Sequence, residues 1–206
     1  MSEIVPADQA LQWLMQGNHR YVQGEPLRVH KGLPQCSQLV EKQTPFAVIL
    51  GCSDSRVPSE IVFDQGVGDL FVIRTAGHRV DDIAIASVEY AVRQLNARLI
   101  MVLGHQNCGA ITSAMAMPTA VEPWHAAGAV ATNHIPRLLS KLQDVVTRSK
   151  DMPGNHVENA VRENVRTVIR ILSEQSSILQ EALFLDGLKI VGAYYSLETG
   201  MIELID

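Results

Sequence analysis

Short apolar runs alternate with longer amphipathic stretches along most of this chain. Runs rich in β-branched residues and bounded by turn residues predict five strands, at 46–50, 70–74, 99–103, 189–195 and 201–205. The first four runs are almost wholly apolar, which is typical of parallel strands covered on both faces of a sheet. The turn residues Glu198, Thr199 and Gly200 separate the last two runs, so these predict an antiparallel hairpin at one edge.

Helical periodicity fills the intervals between several of these runs. It is clearest at 82–95, which opens on acidic residues, and at 155–172, where apolar residues form one stripe. Strands that alternate with helices predict an α/β fold. We therefore expect a mainly parallel central sheet with flanking helices, an antiparallel edge strand and an N-terminal helical arm.

The arm and a loop precede the first predicted strand. Leu11, Leu14 and Met15 lie at helical spacing within 7–23, and Gly17 is predicted to end that helix before a second short turn. An exposed apolar stripe of this kind favours aggregation, so we expect it to be buried against another subunit. The prolines and glycines of 24–45 indicate an irregular surface loop.

Length and composition fit one domain. The chain has 206 residues, 47% of them hydrophobic, so we expect a single domain over 1–206 with 1–45 as its arm and loop. The formal net charge of −5 provides no basic surface, which argues against a nucleic-acid partner. The N-terminus resembles no leader and no apolar run reaches about eighteen residues, so we expect neither export nor a membrane partner.

Three cysteines, Cys36, Cys52 and Cys108, do not form the paired pattern of a disulfide framework. Thiols that must stay reduced indicate the cytoplasm. Cys36 lies in the loop without a second candidate ligand beside it, and we interpret it as a bystander.

Two short motifs follow predicted strands, Gly51-Cys52-Ser53-Asp54-Ser55-Arg56 and Gly104-His105-Gln106-Asn107-Cys108-Gly109. Ligands of open α/β sheets gather outside the carboxyl ends of the strands, so the two motifs are expected to meet there. Two thiols and one imidazole form a recognised catalytic zinc set, because three protein ligands leave the fourth position open. Cys52, His105 and Cys108 are therefore predicted to hold one Zn²⁺ per chain.

Taken together, Cys52-x-Asp54-x-Arg56 and His105-x-x-Cys108-Gly109 resemble the β-class carbonic anhydrases. The resemblance extends through 70–77, 82–95 and 192–195. It implies a lyase, carbonate dehydratase, that hydrates CO₂ reversibly to bicarbonate and a proton by attack of zinc-bound hydroxide. It also implies a homodimer or homotetramer in which the N-terminal arm lies across the partner.

Asp54 and Arg56 are the predicted catalytic residues. Asp54 is placed to accept a hydrogen bond from the zinc-bound water, and Arg56 to hold that carboxylate in a bidentate grip. The resemblance adds a second identity for Asp54: released from Arg56, it becomes a fourth metal ligand in a closed, inactive state.

Two further residues are predicted to bind substrate. The resemblance matches Gln65 to a glutamine that orients the substrate across a dimer interface. Gly109 precedes a predicted helix N-terminus, where backbone amides favour an anion such as bicarbonate, although a purely structural glycine fits the turn equally well. His78 lies near the expected mouth of the site, either as a proton relay or as a surface histidine.

One subgroup of the family carries a regulatory bicarbonate pocket of Trp, Arg and Tyr. The corresponding positions here are Ile49, Arg74 and Tyr195, so the Trp is missing.

Two other functions stay open at this point. A related hydrolase acting on a small molecule such as carbon disulfide uses the same chemistry, and only access to the pocket distinguishes it. A non-catalytic zinc or redox-sensing protein would use Cys52 and Cys108 as oxidisable thiols, but it has no need of the Asp54-Arg56 pair.

Overall fold

The computed structural model describes residues 4–27, 39–117 and 134–205. Cys36, the predicted bystander thiol, lies outside these ranges, as does part of the predicted loop. None of the helices within these ranges combines the length and apolarity that crossing a membrane requires.

Five strands form one sheet in the order β2-β1-β3-β4-β5. The first four strands run parallel, and β5 pairs antiparallel with β4 at the edge. The strands are β1 (Ala47–Cys52), β2 (Leu70–Thr75), β3 (Leu99–His105), β4 (Lys189–Tyr195) and β5 (Ile202–Ile205). This confirms the predicted fold class, and it corrects two strand ends: Cys52 and His105 are the last residues of β1 and β3, not residues beyond them.

Eight helices surround the sheet within the described ranges. They are α1 (Ala7–Gln23), α2 (Ser59–Val62), α3 (Asp82–Leu95), α4 (Gly109–Ala116), α5 (Ile135–Ser140), α6 (Gln143–Ser149), α7 (His156–Gln175) and α8 (Ser177–Leu185). The predicted helix at 82–95 has the observed bounds. The stripe at 155–172 forms α7, which begins one residue later because the side chain of Asn155 caps it, accepting from the amides of Val157 and Glu158.

Alternate residues of the central strands face opposite sides of the sheet. Val48, Leu50 and Val102 pack with α3, α7 and α8 on one side. Ile49 and Met101 pack with α1 on the other. Because both faces are covered, the central strands β1 and β3 are apolar at every position before His105.

Gly17 does not end the first helix, contrary to the sequence prediction. Helix α1 continues to Gln23 and ends at Gly24, whose φ of 71° suits glycine. Gly17 is buried where α1 crosses the chain near α2, and a Cβ added there would collide with the carbonyl oxygen of Phe63. Its neighbour Asn18 donates to the carbonyls of Val62 (3.0 Å) and Gly200 (2.8 Å). Gly17 therefore serves a close approach between backbones.

The apolar stripe of α1 packs on its own chain. Leu14 is fully buried against the sheet, and Leu11 and Met15 are half-buried on the same cluster. Leu14 is therefore covered by its own chain and needs no second subunit, whereas for Leu11 and Met15, which keep part of their surface exposed, burial against a partner stays a prediction.

Replacing Gly17 with Ala is expected to lower the free energy of unfolding by about 1–3 kcal/mol, because the methyl group has no space beside Phe63. Urea unfolding of the variant measures this loss. Gln16→Ala, at an exposed position of the same helix, is the matched control and should leave stability nearly unchanged. Equal midpoints for Gly17→Ala and the parent would contradict the close approach.

Candidate active site

The side chains of Cys52, His105 and Cys108 form a buried cluster. One possible ligand atom from each lies within 4.8 Å of the other two. The two sulfur atoms are 4.0 Å apart, and both thiols are free. The structure therefore brings together the three residues that the sequence proposes as metal ligands.

Parallel pairing explains how residues so far apart in sequence meet. Strands β1 and β3 are neighbours with Gly51 opposite Leu103, so their carboxyl ends lie at one edge of the sheet. Cys108 precedes the first residue of α4, and the left-handed backbone of Asn107 (φ 51°) reverses the chain between His105 and Cys108. Two strand ends and one helix start thus converge.

The imidazole of His105 directs an unprotonated ring nitrogen at this cluster. Its Nδ1 lies 2.9 Å from the carbonyl oxygen of Gln106, which can only accept a hydrogen bond, so Nδ1 carries the proton. The other nitrogen, Nε2, is buried and has no hydrogen-bond partner among the described residues. Metal-ligating histidines commonly use this arrangement, in which a backbone carbonyl fixes the tautomer. The donor set therefore fits a zinc ion.

The two thiols are electrostatically coupled across their 4.0 Å contact, in which either sulfur can donate. A hydrogen bond from Cys108 is the main cause that lowers the pKa of the Cys52 thiol, and the backbone amide of Gly77 also donates to Cys52 Sγ at 3.3 Å. The same interaction raises the pKa of Cys108, whose deprotonation would place a second charge beside the first. A cation between the sulfurs would remove that opposition.

Asp54 and Arg56 form the bidentate pair that the sequence predicts. Arg56 Nε donates to Asp54 Oδ1 at 2.9 Å, and Arg56 Nη2 donates to Oδ2 at 2.8 Å. Arg56 holds the pKa of Asp54 well below its usual range, so the side chain is a carboxylate at neutral pH. Asp54 Oδ2 is 3.9 Å from His105 Nε2, which places a hydrogen-bond acceptor beside the cluster.

Arg74 stabilises the segment from Cys52 to Asp54 by hydrogen bonds to its backbone. Its guanidinium donates to the carbonyls of Cys52 (3.0 Å) and Asp54 (2.6 Å). Tyr195 instead shares a hydrogen bond with Tyr21, and Ile49 is buried in the same core cluster. Each of the three positions thus has an observed role other than a Trp-Arg-Tyr pocket.

The predicted substrate-binding roles of Gln65 and Gly109 stay predictions. The buried amide of Gln65 donates to the carbonyl of Phe63 at 2.8 Å and lies near Gly17, so it is turned toward α1 of its own chain. Gly109 opens α4 beside Cys108, and a Cβ added there would meet no described atom within 4 Å. The predicted helix start is confirmed.

His78 is fully buried, so the interpretation as a surface histidine is wrong. It lies in a short 3₁₀ turn, Ala76–His78, which follows β2 and reaches Cys52 through Gly77. Helix α7 covers this turn with Asn164, a residue that the functional reading of the sequence missed. The available signal was a polar residue within the apolar stripe of α7.

His78 is expected to make the protein acid-sensitive. Burial lowers its pKa to about 4 from 6.5, so the unfolded chain takes up a proton across that window before the folded protein does. The free energy of unfolding should therefore fall by about 3 kcal/mol between pH 6.5 and 4. Urea unfolding across this range measures the loss. His78→Asn, which tolerates the positive φ of this position, should have a flatter pH dependence, and an equal slope in both proteins would refute the assignment.

Known proteins resemble this chain over most of its length. The model of the family described as Carbonic anhydrase matches residues 47–202. The chain is 39% identical to "Carbonic anhydrase 2" of Mycobacterium tuberculosis, across 94% of its own length and 90% of the relative. It is 35% identical to "Carbonic anhydrase" of Mycolicibacterium smegmatis, across 93% and 89%.

Solved structures share the fold. The beta-carbonic anhydrase CcaA superposes with a TM-score of 0.71 at 25% identity, covering 95% of each chain. A structure from a study of two tetrameric beta-carbonic anhydrases from Sordaria macrospora superposes with a TM-score of 0.70 at 23% identity, covering 95% of this chain and 96% of the other.

Proposed function

This chain belongs to the β-carbonic anhydrase family and is a carbonic anhydrase, and we propose that it interconverts CO₂ and bicarbonate at one zinc ion held by Cys52, His105 and Cys108. The observation that carries the proposal is the bare, buried Nε2 of His105, which shares a cluster with two buried thiols. Zinc bound there would supply the Lewis acidity that lowers the pKa of a bound water to about 7, which would make a nucleophile for CO₂ available at neutral pH.

The role of Asp54 follows from its charge and its partners. Arg56 occupies both carboxylate oxygens from one side and keeps the group ionised. Oδ2, the oxygen nearer His105, retains further acceptor capacity, so it can hold the proton of the nucleophile in a hydrogen bond and direct a lone pair to CO₂. Asp54 and Arg56 thus orient the attack.

The same pair defines a closed state in this proposal. Asp54 lies close enough to the cluster that a rotation away from Arg56 would bring its carboxylate to the metal as a fourth protein ligand. A second hydrogen bond from Arg56, to the carbonyl of Asn107 at 3.2 Å, anchors the guanidinium to the loop between His105 and Cys108. The open state therefore depends on Arg56.

A rate assay with two substrates tests the proposed function. Purified protein should accelerate CO₂ hydration, lose that activity on removal of metal by a chelator, and regain it on addition of Zn²⁺. Carbon disulfide hydrolysis measured on the same samples distinguishes the related hydrolase. Reduced protein that holds zinc but hydrates no CO₂ would contradict the proposal and favour a zinc or redox-sensing protein.

We also propose that the enzyme is a homo-oligomer, either a dimer or a tetramer. Trp13 on α1 and Ile61 on the neighbouring α2 are 40% and 45% exposed, so two adjacent helices offer large apolar side chains that a partner could cover. A partner that covers this surface would also reach the region of Gln65.

Ile61→Asp is expected to shift the protein toward smaller species in sedimentation velocity, because a charge would be buried in the interface. Ile83→Asp is the matched control, since Ile83 is an exposed isoleucine on α3, across the sheet from α1. Identical sedimentation of Ile61→Asp and the parent would argue against an interface at α2.

Two reduced thiols 4.0 Å apart also support the proposed cytoplasmic location, where thiols are kept reduced. Oxidation of this pair would remove two of the three proposed zinc ligands.

A further inference from the structure

Asn164 connects helix α7 to the turn that contacts Cys52. Its Nδ2 donates to the carbonyl oxygen of Gly77 at 2.8 Å and lies 2.8 Å from Nε2 of His78. Only an N–H group can meet a carbonyl in this way, so the amide orientation is fixed, and Nε2 of His78 must accept the second hydrogen. One side chain thereby holds two consecutive residues of the turn.

The turn needs such a restraint because its backbone is in an uncommon conformation. Gly77 and His78 both have positive φ, 68° and 41°, and a left-handed conformation is costly for histidine. In this conformation the amide of Gly77 points at Cys52 Sγ, 3.3 Å away. The carbonyl held by Asn164 belongs to the same residue. The position of the donor on Cys52 therefore depends on Asn164.

Stability alone does not explain this buried polar pair. Asn164 and His78 are both fully buried, and two of their polar atoms, Asn164 Oδ1 and His78 Nδ1, have no hydrogen-bond partner within the described ranges. Each unpaired buried polar atom destabilises the fold, because it gives up its hydrogen bonds to water without replacing them. Apolar residues of similar shape would avoid that cost, so we look for a role of the Asn164–His78 pair other than stabilising the fold.

We propose that Asn164 is a positioning residue of the metal centre: it fixes the 76–78 turn so that the Gly77 amide donates a hydrogen bond to the Cys52 thiolate. This inference rests on the proposed zinc function. Two thiolates cancel the formal charge of the ion and weaken it as a Lewis acid. A backbone donor on one sulfur withdraws electron density from it and offsets part of that effect.

Cobalt substitution provides a direct readout of the hydrogen bond to sulfur. In Asn164→Leu protein loaded with Co²⁺, the thiolate-to-metal charge-transfer band should move to longer wavelength than in the parent, because the sulfur loses its donor. Zinc affinity, measured by competition with a chelator, should weaken about 10- to 100-fold. Asn164→Ser, which removes the amide with a smaller side chain, provides the same test if the Leu variant does not fold.

Thr167→Val is the matched control. Thr167 lies one turn further along α7, is nearly fully buried, and accepts hydrogen bonds from Arg148 (2.6 Å) and Arg170 (3.3 Å) rather than from a residue of the turn. It should change stability but neither the cobalt band nor zinc affinity. Parent-like spectra and affinity in the Asn164 variants would overturn the inference. A parent protein that binds neither metal would instead overturn the proposed function.

Discussion

Cys52→Ala, His105→Ala and Cys108→Ala proteins are each expected to lose bound zinc and CO₂ hydration together. Each change removes one of three converging ligand atoms and leaves two, too few for a stable site. Metal analysis of the purified variants should give far less than one zinc per chain. Hydration measured on the same samples should fall to the uncatalysed rate.

Cys36→Ala is the control for thiol chemistry in general. We interpret Cys36 as a bystander because no second candidate ligand lies beside it, so its replacement should leave the zinc content and the CO₂ hydration rate at the parent values. Full activity in any of the three ligand variants would show that the cluster is not the reaction centre.

Arg56→Ala is expected to inactivate the enzyme while it keeps its metal. Without the two hydrogen bonds from Arg56, the Asp54 carboxylate, whose Oδ2 lies 3.9 Å from His105 Nε2, is free to rotate toward a metal held by the cluster. X-ray absorption should then show four protein ligands, two sulfur, one nitrogen and one oxygen. Arg56→Lys keeps the charge but not the bidentate geometry, so it should restore little activity.

Asp54→Asn separates the two proposed roles of Asp54, hydrogen-bond acceptor in the open state and metal ligand in the closed state. The amide removes one acceptor and cannot close the site as a carboxylate does, so zinc should stay bound and the rate should fall about 100-fold or more. Parent-like rates in Asp54→Asn would refute its role as acceptor. An open metal site in inactive Arg56→Ala would refute the closed state.

The parts of the fold that were predictable have strong local signals. Strands β1 to β4 are apolar at nearly every position because both faces of the sheet are covered. The acidic start of α3 and the stripe of α7 identified those helices. The ligand cluster was predictable because each motif lies at the carboxyl end of a strand, and parallel neighbours end at the same edge of the sheet.

The errors concern residues whose role depends on distant contacts. Gly17 is the residue type that commonly ends a helix, but here it lies inside α1. A glycine is needed at this position because the backbone of Phe63, 46 positions away in the sequence, packs against it. His78 follows a glycine in a polar stretch, yet α7 covers it completely. No local pattern encodes either contact, since each requires the packed positions of two elements.

The role of Asn164 was predictable from the sequence only in part. It occupies the apolar face of α7 between Val161 and Val168, so the sequence marks it as a buried polar residue. The sequence does not identify its partners, because Gly77 and His78 lie 87 and 86 positions away. A polar residue on an otherwise apolar helical face is thus a usable signal for a buried contact.

Zinc titration of metal-free protein, with CO₂ hydration measured at each step, tests the central claim most directly. The rate should rise in proportion to added Zn²⁺ and reach its plateau at one zinc per chain, because one cluster of Cys52, His105 and Cys108 holds the catalytic ion. Substantial hydration by the metal-free protein, or a plateau without any gain in rate, would contradict that claim.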